Sequence, residues 1–189
     1  MSDTFVYDKA KYHMTGVKGG APSWEHASGT ALFMLRWCIE HDLISSYFLE
    51  GSGSSLADYR SGRLSLFELY EKECDMVFAG DMLSDEGNAF ARDYFEYEHG
   101  LYLKDLMACL KLGKWDYPLY TDVAYLLFKP QIDSRYADWK AGKIDTVRQP
   151  PKKGWVKLLW KIAGFVIVIL MLVGVFLFIW LLQATFAPK

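Results

Sequence analysis

The chain has 189 residues, 52% hydrophobic and 16% aromatic, which excludes a disordered protein and is enough for one sizeable core. Its formal net charge of −2 conceals a division: residues 1–150 hold 16 Lys+Arg against 23 Asp+Glu, and residues 151–189 hold five lysines and no acid. An acidic first part lacks the clustered cations that nucleic acid requires, so no nucleic-acid partner is expected, whereas a basic protein would suit it.

In chain order, residues 1–21 read as an irregular arm. Tyr7-Asp-Lys-Ala-Lys-Tyr-His13 is followed by Gly16, Gly19, Gly20 and Pro22, which break any helix. The first nine residues contain no apolar stretch of the kind a secretory signal needs, so export is not expected. From Ser23 the pattern turns helical, with Ala27, Ala31, Met34, Leu35, Cys38 and Ile39 at threes and fours as far as His41. A short helix around Ser46–Leu49, a turn at Gly51-Ser-Gly-Ser-Ser55 and another helical turn over Leu56–Ser61 follow.

Ser65-Leu-Phe-Glu68 is a capping box, and the helix it opens is expected to reach Gly80 with Leu66, Leu69, Tyr70, Met76 and Val77 inward. Ser84 or Asp85 caps the next helix, which carries Ala89, Phe90, Tyr94 and Phe95 on one side. A helix over Leu101–Leu112 follows, stopped by Gly113. Val123–Phe128 fits either a short strand or a first helical turn. Pro130 is expected to open a final helix to Lys140, with Ile132, Tyr136 and Trp139 buried.

The end of the chain differs in kind. Ile162–Leu182 is a run of 21 residues without a polar side chain, 16 of them Leu, Ile, Val or Phe. As a helix it would be about 31 Å long, matching a hydrocarbon core of about 30 Å. Lys152, Lys153, Lys157 and Lys161 precede it and only Lys189 follows, so the positive side, and with it the N-terminal part, is expected in the cytoplasm. The expected fold class is mainly α: a compact helical cytoplasmic domain (1–142), a linker and basic flank (143–157), one C-terminal transmembrane helix (158–184) and a short external tail (185–189). The lipid bilayer is therefore one expected partner.

No sequence motif announces a reaction. The histidines His13, His26, His41 and His99 show no i, i+3 or i, i+4 pairing, so neither a metal nor a cofactor is expected. Cys38, Cys74 and Cys109 lie far apart in apolar helical contexts and fit reduced core residues. In Gly87-Asn-Ala-Phe-Ala-Arg-Asp-Tyr-Phe-Glu96, Asn88, Arg92 and Glu96 share one helical face opposite Ala89 and Phe90. That face is suited to holding a neighbouring segment, for which the Tyr7–His13 arm is the candidate.

Two motifs, Tyr7-Asp8-Lys9-Ala10-Lys11-Tyr12-His13 and Gly87-Asn88-Ala89-Phe90-Ala91-Arg92-Asp93-Tyr94, make residues 5–142 resemble a family of small uncharacterised bacterial proteins. Those proteins are similar in size and setting to the immunity proteins of bacterial toxin systems. The resemblance implies a protein that neutralises an antibacterial toxin by direct binding, and the apolar run would anchor it by its tail in the inner membrane. Its structural or interface residues would be Tyr7, Asp8, Lys11, His13, Asn88, Arg92, Asp93 and Tyr94. The glycine-rich Gly16–Pro22 insert and the apolar run depart from the pattern. Two other readings remain: a membrane-tethered hydrolase using His13 with Asp8, Asp93 or Arg92, and a scaffold subunit of a membrane complex.

Overall fold

The computed structural model describes residues 4–15, 19–97 and 100–143. The 162–182 run, its four flanking lysines, Gly16 and His99 lie outside the described residues. Among the described residues no helix is long and apolar enough to cross a membrane.

The described part is mainly helical, with a small two-stranded sheet. In order the elements are β1 (Val6–Lys9), α1 (Ala10–Met14), α2 (Trp24–Glu40), α3 (Ser46–Arg60), α4 (Leu66–Cys74), β2 (Val77–Ala79), a 3-10 turn (Gly80–Met82), α5 (Asp85–Tyr94), α6 (Tyr102–Cys109) and α7 (Asp122–Lys140). Helix α2 is the central one: its residues from Ala27 to Ile39 are almost all buried, and α1, α4 and α7 pack around it. Aromatic rings make up much of the core. Trp37 meets Phe90 at 5.3 Å and Tyr136 at 5.0 Å, while Tyr102 meets Phe95 at 4.5 Å and Phe128 at 5.4 Å.

Local capping sets three of these starts as expected. Ser23 accepts from the His26 amide, Ser84 accepts from the Gly87 amide, and Ser65 and Glu68 form the reciprocal box that opens α4.

Four expectations are corrected. The first arm is not irregular: β1 pairs antiparallel with β2 in the register Val6↔Ala79, Asp8↔Phe78 and Lys9↔Val77, with a bulge at Tyr7. Second, α4 stops at Cys74, because Asp75 and Met76 turn left-handed at φ 49° and 54° and send the chain into β2. Third, the Gly51–Ser55 stretch is no turn but the middle of α3. Two helical glycines cost about 1 kcal/mol each relative to alanine. Burial of Ser52 and Ser55 against α4, where Ser55 donates to Glu73 at 2.5 Å and accepts from Lys72 at 2.9 Å, outweighs them. Fourth, Pro130 lies inside α7, not at its start; of the two readings left open for Val123–Phe128 the helical one holds, and Thr121 caps the start of α7 by accepting from the Ala124 amide at 3.1 Å. Proline there leaves the Leu126 carbonyl without its helical donor, which is tolerable because Leu126 faces solvent.

Candidate functional site

Helix α5 fastens the first strand to the rest of the domain. Asn88 projects from its first turns with both ends of its amide used. Its Nδ2 donates to the carbonyls of Gly80 (2.7 Å) and Leu83 (2.9 Å), and its Oδ1 accepts from the Tyr7 hydroxyl at 2.9 Å. Gly80 sits so close that a Cβ there would meet Asn88 Oδ1 at 2.8 Å. One turn on, the Arg92 guanidinium lies 5.8 Å from the centre of the Phe5 ring. Burial raises the Tyr7 pKa against the opposing influence of Arg92. The face carrying Asn88 and Arg92 therefore holds the Tyr7 arm. Phe90 is buried, but Ala89 is exposed and lines a shallow cleft together with Arg92.

The remaining motif residues of α5 turn elsewhere. Asp93 accepts from the Trp139 indole at 2.9 Å, and buried Tyr94 donates to Asp105 at 3.2 Å. Asp105 also takes a two-pronged hydrogen bond from Arg135, at 2.6 and 3.0 Å. These contacts tie α5 and α6 to α7.

At the end of β1 lies a second polar centre. Asp8 is 5% exposed, and its Oδ1 is 2.7 Å from His13 Nε2; the Tyr97 hydroxyl stands 3.4 Å from the same nitrogen. Burial alone would lower the His13 pKa, but the hydrogen bond and negative charge of Asp8 raise it overall. Among the described residues, Asp8 Oδ2 and the Tyr70 hydroxyl are buried without a hydrogen-bond partner. His13 and Tyr97 border a small cavity of about 140 Å³, with Trp115 and Tyr117 also in its wall. Lys11 is exposed, its ammonium 5.8 Å from the Tyr12 ring.

Thus Asp8 and His13 come together, as do Tyr7, Asn88 and Arg92. Asp93 is committed to Trp139 and Arg92 to Phe5, so His13, Asp8 and Asp93 do not converge as a catalytic trio. Among the described residues no group of three or more His, Cys, Asp or Glu could hold a metal ion. His26 meets the Ser23 hydroxyl at 3.0 Å, and His41 stacks on Trp37 with its centre 4.1 Å away.

A larger feature had no signature in the sequence. Between α2, the α3–α4 connection and the start of α7 opens a cleft of about 1240 Å³. Arg36 stands in its wall, donating to Glu40 at 2.8 Å, to the Tyr120 hydroxyl at 2.6 Å and to Asp122 at 2.5 Å. Glu40 in turn accepts from Tyr125 at 2.6 Å. Burial works against the charged form of Arg36, but the bonds to Glu40 and Tyr120 outweigh it and leave its pKa raised. Asp42, Arg60, Arg63 and Glu68 extend the charged lining. Only the Arg36–Glu40 spacing of four residues was readable beforehand; Tyr120 and Asp122 reach Arg36 from more than 80 residues away.

The fold and these two centres define a mainly helical domain with an N-terminal strand clipped to it. The chain belongs to the family described as a domain of unknown function, DUF7832, whose model matches residues 6–117. The matched stretch runs from β1 through the connector after α6 and includes every motif residue named above; α7 lies beyond it. Comparison with curated proteins and with solved structures finds no match.

Proposed function

We propose that this chain is a non-enzymatic binding protein tethered to the bacterial inner membrane, with its helical domain in the cytoplasm, where it neutralises an antibacterial toxin by direct contact. The supporting observation is the cleft between α2, α4 and α7. Its volume of about 1240 Å³ exceeds the roughly 300–1,000 Å³ usual for small-molecule pockets, and it is open and charged, not enclosed and apolar. Its lining sets Glu40, Asp42, Glu68 and Asp122 against Arg36, Arg60 and Arg63, with Glu40 and Asp122 already paired to Arg36, so Asp42 and Glu68 are the acids left to meet a basic polypeptide. The net −7 of residues 1–150 favours the same partner. The apolar run at 162–182 supplies the tether, and tethering raises the effective concentration of the domain at the surface a toxin must cross.

The test is a binding measurement on the detergent-solubilised full chain, with the products of adjacent reading frames offered singly as partners. One of them should bind, and Asp42→Lys with Glu68→Gln should weaken it at least tenfold while the circular dichroism spectrum stays unchanged. Binding that is indifferent to these substitutions, or no binding by any adjacent product, would remove the proposal.

A further inference from the structure

Helix α7 is apolar on two opposite sides. Its inner side, with Tyr125, Phe128 and Ile132, belongs to the core. On its outer side Val123 is 71% exposed, Leu126 62% and Leu127 64%, and Pro130, Ser134 and Ala137 continue the same line at helical spacing. From Val123 to Ala137 that ridge is about 21 Å long and carries no charge. Five of the six charges of α7 are drawn into pairs within their own domain, and the sixth, Asp138, is half-buried one turn on from Ser134. Asp122 pairs with Arg36 at 2.5 Å, Lys129 with Asp133 at 3.0 Å, Arg135 with Asp105 at 2.6 Å and Lys140 with Glu86 at 2.6 Å. A helix facing water ordinarily places its charges outward, whereas one apolar all round is a covered helix.

We infer that the outer ridge of α7 rests on the lipid bilayer, its leucines and valine entering the shallow interfacial layer. This rests on the membrane-tethered reading above. The placement of the ridge in the chain favours lipid. Helix α7 is the last described element, and only residues 144–161 separate the described part from the apolar run. Eighteen residues reach about 60 Å at most, against a radius of gyration of about 14 Å for a domain of this size. The effective concentration of the ridge at the bilayer is then on the order of millimolar. Weak attraction is enough under that condition.

Size and charge point the same way. Three strongly exposed apolar side chains fall well short of the roughly 20–30 residues a side that a stable protein interface uses. They suit a shallow lipid contact assisted by a tether. The acidic domain would be repelled by anionic headgroups through most charged faces, but not through an uncharged one. Trp115 and Leu119, exposed in the connector that leads into α7, are residue types that favour the interface.

The test uses the full chain with Cys74→Ser and Cys109→Ser, carrying a fluorophore on either Leu126→Cys or Glu71→Cys, an exposed site on α4. The protein is reconstituted in vesicles of phosphatidylcholine and phosphatidylglycerol whose acyl chains are brominated. Quenching at position 126 should be at least threefold greater than at position 71. Equal quenching at the two positions overturns the inference, as does disulfide coupling, on addition of an oxidant, between two copies of the unlabelled Leu126→Cys chain, which would assign the ridge to a second copy. Extraction of the chain by alkaline carbonate would instead show that the tether itself is wrong.

Discussion

Replacing Asn88 by alanine isolates the clip between α5 and the first strand. The change removes three hydrogen bonds, two donated to the Gly80 and Leu83 carbonyls and one accepted from Tyr7. Each is worth about 1 kcal/mol net, and the stranded carbonyls add to the loss, so about 3 kcal/mol is expected. The Tyr7 hydroxyl keeps one acceptor, the Asn88 carbonyl at 3.1 Å, which holds the figure from rising further. In a domain of this size that corresponds to a fall in Tm of roughly 10 °C. The assay is thermal unfolding of the full chain in mild detergent, followed by near-ultraviolet circular dichroism. Tyr7→Phe, which keeps the ring tilted against Phe78 and edge-on to Phe95, should cost only about 1 kcal/mol. The double variant should lose less than the sum, since both changes break one shared bond. A loss below about 0.5 kcal/mol for Asn88→Ala would refute the view that this face of α5 anchors the arm.

Three further outcomes follow from other contacts. Because His13 has a raised pKa in the folded state, its contribution to stability is fully present below its unfolded value of about 6.5. That contribution is lost as pH rises through the folded value, so unfolding midpoints should drop above pH 6.5, and His13→Gln should flatten the profile. Gly29→Ala would place a Cβ 1.8 Å from the Pro118 carbonyl oxygen. Differential scanning calorimetry should register about 3 kcal/mol of destabilisation as the connector is pushed from α2. Arg135→Ala leaves the Asp105 carboxylate, in a residue 9% exposed, with Tyr94 and Gln131 as its partners among the described residues. It should cost about 2–3 kcal/mol in urea unfolding, and Arg135→Lys should recover only part of that.

What the sequence disclosed, and what it hid, divides by the range of the interaction. Helices α2, α4 and α5 were legible at their starts because Ser23, Ser65 and Ser84 act on amides three residues away. The sheet was not, since its strands are four and three residues long and pair across some 70 positions, with a bulge that spoils the alternation of β1. Local composition misled at Gly51–Ser55 and at Pro130, where packing against α4 and the core overrode weak helix propensity. Asn88 and Arg92 could be placed on one face from spacing alone. Their hold on the Tyr7 arm, the meeting of Asp8 with His13, and the Arg36 cleft needed the folded chain.

Growth of cells induced to produce each adjacent reading frame in turn tests the proposed neutralising role most directly. Under that role, cells producing the full chain should survive induction of an adjacent reading frame whose product arrests cells that lack the chain. Cells producing the chain with Asp42→Lys and Glu68→Gln should arrest, and removal of residues 162–189 should leave only partial protection. Equal arrest with and without the full chain, for every adjacent product, would contradict the account.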